Sequence, residues 1–96
     1  MKKEYTFREH LNELLQDKTF SETYFEVKAE FEIQRALMNA RLSRNLTQQE
    51  LSSLSGIDQA NLSRIEKGIA NPSLHTLQRL AKAMGMHIEL KFVENK

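Results

Sequence analysis

The sequence has no cysteine, one proline and three glycines in 96 residues, and no apolar run approaching the ~20 residues needed to cross a bilayer. The missing thiols exclude disulfides and every thiolate site, and they suit a reducing compartment. The opening stretch, MKKEYTFREHLNELL, lacks the apolar core of a secretory signal, so a cytoplasmic protein with no membrane partner is expected. An excess of one charge is missing too: 14 Lys+Arg against 13 Asp+Glu leave a net charge of +1. Taken over the whole chain, that balance argues against a protein held to nucleic acid by electrostatics alone. With 40% hydrophobic and 28% charged residues, one folded domain with a modest core is expected rather than a disordered tail.

Catalytic groupings are lacking as well. His10, His75 and His87 are scattered, with no i, i+4 pair and no acidic cluster of metal-ligand type. No histidine stands in a motif that would activate a serine, and no glycine-rich phosphate loop is present. Neither an enzyme nor a metal or cofactor protein is expected.

The helical signals are clearer. Pro72, Gly56, Gly68 and Gly85 all fall in the second half, so longer helices are expected in the first. Phe7, Leu11, Leu14 and Leu15 follow i, i+4, i+7, i+8, which predicts an amphipathic helix over residues 7–16. Thr19 and Glu22 have capping-box spacing and predict a second helix from about Phe20. Beyond it, Phe20, Tyr24, Val27 and Phe31 form one stripe, and Ile33, Leu37 and Ala40 a neighbouring one. The pattern leaves open whether residues 20–44 are one helix or two. Thr47 with Glu50 is a capping box, and Leu46 with Leu51 a hydrophobic staple, for a short helix closed by Gly56. Asp58 is placed to cap the next helix, which ends at Gly68. Pro72-Ser73 opens a further helix carrying Leu77, Leu80, Ala81 and Met84 and closed by Gly85. His87 to Val93 alternates apolar with polar, the pattern of a half-buried strand.

Two short helices joined by a brief glycine-containing turn inside a helical domain form the helix-turn-helix pattern. Residues 33–86 resemble the lambda-repressor-like (Cro-type, XRE) helix-turn-helix domain. The resemblance rests on Arg41, Leu46-Thr47-Gln48, Glu50-Leu51, Gly56-Ile57, the run Asn61 to Gly68, Asn71-Pro72-Ser73 and Leu77 to Gly85. It implies an all-α bundle whose recognition helix, about residues 58–67, enters the major groove of operator DNA. If Leu62 points inward, Ile65 and Glu66 lie near it, while Ala60, Ser63, Arg64 and Lys67 point away and Gln59 projects from the helix start. The resemblance assigns base reading to Gln59, Ala60 and Arg64. Glutamine suits adenine, arginine suits guanine, and an alanine methyl suits a thymine methyl. Asn61 and Ser63 are expected at the margin of the contact, and Asn71 in the following loop near the DNA backbone. Gln48 stands where the family clamps a phosphate, at a helix N-terminus. Arg41 and Glu66 are implied as a structural ion pair, whereas Arg35, Arg44, Arg79 and Lys82 read as solvated helix faces.

Outside that domain, the 87–93 strand has no second strand to pair with, and a lone strand leaves its amides unpaired. The same strand of a second copy is the simplest partner. It would form an antiparallel homodimer with Ile88, Leu90 and Phe92 packed on the helices, fitting two recognition helices spaced for a pseudo-palindrome. The alternative is an extended tail lying on its own domain. Residues 1–32 hold Tyr5, Phe7, Phe20, Tyr24, Phe25 and Phe31, six of the seven aromatics. Tyr24 and Phe31 are expected to extend the core. Residues 1–30 carry five basic and seven acidic side chains, against nine and six in residues 31–96. An acidic segment with aromatic anchors suits docking of a basic partner.

The runs Phe25 to Leu37 with Ala40-Arg41, Gly56 to Glu66, and Thr76 to Ala81 further resemble HigA-type antitoxins. That resemblance implies neutralisation of a small basic RelE/HigB-type mRNA-cleaving toxin and repression of the shared operon as a dimer. Residues 1–32 would be a toxin-docking segment, using Tyr5, Phe7, Leu11, Leu14, Leu15, Phe20, Tyr24 and Phe25. Residues 33–86 would read DNA, and residues 87–96 would dimerise. A stand-alone repressor without a toxin is the alternative, followed by an interaction module that no longer binds DNA.

Overall fold

The computed structural model describes residues 6–95, and Tyr5 lies outside them. Those residues form five helices: α1 (Phe7–Leu14), α2 (Lys18–Ser43), α3 (Gln48–Ser55), α4 (Gln59–Glu66) and α5 (Leu74–Ala83). They divide into two compact units, with the boundary between Glu32 and Ile33. Among the described residues no helix is long and apolar enough to cross a membrane.

In the first unit, α1 starts on a capping box. Thr6 Oγ1 accepts from the Glu9 amide at 3.0 Å, and Glu9 Oε1 accepts from the Thr6 amide at 3.2 Å. None of its side chains is buried: Leu11, Leu14 and Leu15 are half-buried and Phe7 is exposed. The expected cap of the next helix is corrected. Asp17, not Thr19, accepts from the third helical amide, that of Phe20, at 2.9 Å, and α2 begins at Lys18. A carboxylate one residue before the helix satisfies this amide and complements the helix dipole, leaving Thr19 inside the first turn. The α2 helix continues for 26 residues without a break, which answers the question of one helix or two. Phe20 stacks with Tyr24 at 6.1 Å between ring centroids, and Tyr24 meets Phe25 edge-on at 5.1 Å. Val27 and Phe31 are exposed, so Phe31 does not extend a core as expected, and Tyr24 is only half-buried.

The core lies in the second unit. Leu37, Leu51, Ile57, Leu62, Ile65, Leu80 and Met84 are buried together, and Ala40, Leu46, Ala70, Ala83 and Met86 pack at the edge. Leu51, Leu62, Ile65 and Leu80 are essentially sealed from water, each stabilising the fold by about 1.5–3 kcal/mol through burial alone.

Both halves of the capping box of α3 form. Thr47 Oγ1 accepts from Glu50 at 3.0 Å, and Glu50 Oε1 accepts from Thr47 at 2.8 Å. Three helices end on the same device, a residue in the left-handed conformation two positions past the helix. After α2 this is Asn45 at φ 57, with Leu46 N–H bonding to the Arg41 carbonyl at 3.2 Å. After α4 it is Gly68, with Ile69 bonding to Arg64 at 2.9 Å, and after α5 Gly85, with Met86 bonding to Ala81 at 2.8 Å. Ser73 caps α5 by accepting from Thr76 at 3.0 Å.

The expected C-terminal strand is not formed. Residues 86–95 have no regular structure, Leu90, Phe92 and Val93 are exposed, and Ile88 is half-buried. The reason is physical: a strand exists through the ladder it shares with a neighbour, and none of the described residues supplies one. Leu90 and Phe92 therefore do not pack on the helices of the second unit.

Candidate nucleic-acid interface

The helices α3 and α4 are joined by Gly56, Ile57 and Asp58. Ile57 is buried under the turn, and its amide donates to Ser55 Oγ at 3.1 Å. Gly56 takes φ 75, which side-chain-bearing residues rarely adopt, and a Cβ there would meet Arg79 Nη2 at 2.7 Å. Arg79 occupies that space because its Nη2 donates to the Ser55 carbonyl at 3.0 Å, closing the C-terminus of α3. Arg44 acts similarly on α5, donating from Nε to the Met84 carbonyl at 3.0 Å. Neither arginine is merely a solvated face. Arg79 stands among the polar positions of α5 and Arg44 just past the end of α2, and the carbonyls they reach are 24 and 40 residues away.

Helix α4 turns Leu62, Ile65 and Glu66 inward. Gln59, Ala60, Arg64 and Lys67 are exposed, and Asn61 and Ser63 are half-buried. Ala60, Arg64 and Lys67 follow i, i+4, i+7 and so share one helical face, with Gln59 on the first turn beside them. Ser63 sits at the edge of this face rather than fully outward. Asn71 is exposed in the turn before α5.

Asp58 is corrected in one respect. It occupies the N-cap position of α4, but its side chain accepts no helix amide. Its exposed carboxylate acts on α4 only through the dipole, a weak and salt-screened effect.

Beneath the exposed face, Arg41 of α2 clasps Glu66 of α4 in two parallel bonds. Nε donates to Oε2 at 2.8 Å and Nη2 to Oε1 at 2.9 Å. Arg41 Nη1 also donates to the Leu46 carbonyl at 2.8 Å, tying the pair to the loop before α3. Gln48, the first residue of α3, donates from Nε2 to Glu66 Oε1 at 3.1 Å. Glu66 is only 5% exposed. Burial alone would raise its pKa, but the hydrogen bonds from Arg41 and Gln48 and the Arg41 charge outweigh it and hold the carboxyl below its ordinary value. The Arg41 guanidinium is correspondingly pushed up, first by its hydrogen bond to Glu66. The partnership of Gln48 with Glu66 went unseen in the sequence because eighteen residues separate them.

Gln48 is half-buried at the start of α3. The capping box takes up the Glu50 amide, and the backbone amides of Gln48 and Gln49 have no acceptor among the described residues. Two free amides and a side-chain amide thus share the N-terminal end of a helix, an arrangement that suits an anionic oxygen.

Residues 37–91 match the helix-turn-helix family HTH_3. The chain belongs to this XRE-type family. Over 51 residues it is 45% identical to an HTH-type transcriptional regulator of Sinorhizobium fredii, an alignment covering 52% of this chain and 66% of the relative. Its fold is similar to an HTH_3 family transcriptional regulator from Vibrio cholerae, with TM-score 0.58, 32% identity, and coverage of 59% of this chain and 32% of that one. It is also similar to a chain of a toxin–antitoxin module from Streptococcus pneumoniae, with TM-score 0.65, 22% identity, and coverage of 95% and 97%. At that identity the last likeness is one of fold. The chain spans about two thirds of the length of the Sinorhizobium relative and about a third of the Vibrio one. Helices α3 and α4 of this HTH_3 chain lie wholly within the matched residues, and α1 lies outside them.

Proposed function

We propose that the chain is a sequence-specific DNA-binding repressor whose α4 lies in the major groove. The observation that carries this reading is the exposure of Gln59, Ala60 and Arg64 on a helix whose opposite face is locked by Leu62, Ile65 and Glu66. Three side chains able to read base edges are presented on a rigid support. Gln48 and the amides beside it would take a phosphate, and Lys67, Asn61, Ser63 and Asn71 would line the margin. Arg64→Ala should cost about 1–3 kcal/mol on the operator and relax preference at one base pair, measured by fluorescence anisotropy on operator variants. An equal loss on unrelated duplexes would rule out base reading by Arg64.

The same reading extends to an antitoxin of HigA type, acting as a homodimer on a pseudo-palindromic operator and neutralising a RelE/HigB-like toxin. Its support is the acidic balance of residues 1–30, the exposed Phe7, the half-buried Leu11, Leu14, Leu15, Phe20, Tyr24 and Phe25, and the full-length likeness to a chain of a toxin–antitoxin module. Dimerisation through residues 87–93 is supported by the exposure of Leu90 and Phe92, apolar groups that a second copy would cover.

A further inference from the structure

We propose that Glu66, a buried residue with no access to DNA, is a positioning residue for DNA binding: it holds the Gln48 side-chain amide in the orientation in which it clamps a phosphate. This rests on the reading of Gln48 as a phosphate contact.

Three donors converge on one carboxylate. Arg41 Nε reaches Oε2, while Arg41 Nη2 and Gln48 Nε2 share Oε1 at 2.9 and 3.1 Å. A primary amide has two N–H groups. With one directed into Glu66, the other has no acceptor among the described residues. Fixing the first N–H fixes the amide plane, and with it the direction of the second. A free glutamine side chain would lose rotamer freedom on gripping a phosphate, and here that loss is taken during folding. Arg41 holds the carboxylate from the other side and is itself anchored on the Leu46 carbonyl, two residues before Gln48. The orientation of the clamp is thereby tied to α2, the α2–α3 loop and α4 at once.

Only a carboxylate can do this. A glutamine in place of Glu66 would offer one acceptor oxygen and set an NH₂ against donors, so the three bonds could not all survive. Electrostatics alone predicts the opposite outcome. Removing a negative charge from a DNA-binding surface should tighten binding or leave it unchanged. Positioning predicts that Glu66→Gln weakens it.

The test is a double-mutant cycle on the full chain: wild type, Gln48→Ala, Glu66→Gln and the double variant. Binding is read by fluorescence anisotropy on a labelled duplex from upstream of the gene, well below each variant's melting temperature. Gln48→Ala should weaken binding about fivefold, the worth of one hydrogen bond. Glu66→Gln should weaken it by a similar factor, and Gln48→Ala should then add less than twofold. If Gln48→Ala costs the same factor in both backgrounds, Glu66 does not act through Gln48 and the proposal fails. If Gln48→Ala has no effect in the wild type, the phosphate clamp itself fails. A measurement on the unmutated protein covers the case in which Glu66→Gln does not fold. In ¹⁵N spectra, one Gln48 side-chain amide proton should be slowed in exchange before DNA is added, and both in the complex. Fast exchange of both protons in the free protein would overturn the proposal.

Discussion

Glu66 shows how far a single side chain in this protein depends on its surroundings. A buried carboxylate is destabilising unless charge and hydrogen bonds compensate, and here Arg41 and Gln48 supply both. Because the folded-state pKa lies below the ordinary carboxylate value, the unfolded chain binds more protons as acid is added. The stability contributed by Glu66 is therefore complete above the unfolded-state value of about 4.3 and is lost as pH falls through the lower folded value. Thermal melts between pH 7 and pH 3 should show part of the acid loss disappearing in Glu66→Gln, which is less stable than wild type at pH 7. An identical pH dependence in both proteins would show that Glu66 does not carry this linkage. The pairing of Arg41 with Glu66 was available from the family resemblance, but the third member, Gln48, was not. It enters because α3 begins beside the end of α4, and residue spacing says nothing about that proximity.

At the scale of the element, chain punctuation was largely readable. Thr47 and Glu50 form the capping box their spacing announced, and Gly56, Gly68 and Gly85 all take positive φ at helix ends. Local rules succeed here because caps and left-handed stops are decided within five or six residues. They failed where two local solutions competed or where none was needed. Asp17 displaced Thr19 as the cap of α2, Asn45 did the work of a glycine after α2, and Asp58 makes no cap bond although it stands at the cap position. The difference between Thr47 and Asp58 is measurable by chemical denaturation. Thr47→Ala should destabilise the fold by about 1 kcal/mol, whereas Asp58→Ala should stay within about 0.5 kcal/mol of wild type. Comparable losses would mean that Asp58 caps α4 in solution.

At the scale of the whole molecule, the near-zero net charge conceals an acidic first 30 residues and a mildly basic remainder. Phe7 is 79% exposed, so Phe7→Glu should leave the fold and the DNA affinity of the free chain unchanged. On the proposed antitoxin reading, it should weaken capture of a small basic toxin by tenfold or more, as read by calorimetry. Unchanged capture would remove α1 from the docking surface. On the proposed dimer, deleting residues 87–96 should yield monomers by light scattering and weaken operator binding, because two recognition helices about one turn (~34 Å) apart would no longer be held together. Persistent dimers would place the interface elsewhere.

By itself the sequence determined the helical class, the helix-turn-helix position and, Ser63 apart, which α4 residues face outward, since periodicity, caps and turns are local properties of the chain. Only the tertiary structure decided that Arg44 and Arg79 close helix ends, that Gln34 fills the space beside Gly68 where a Cβ would stand, and that Gln48 reaches Glu66. It also decided that residues 87–93 make no ladder with any of the described residues. In each case a long polar side chain or a strand edge takes a partner brought near by folding, and its identity depends on distance in space rather than along the chain.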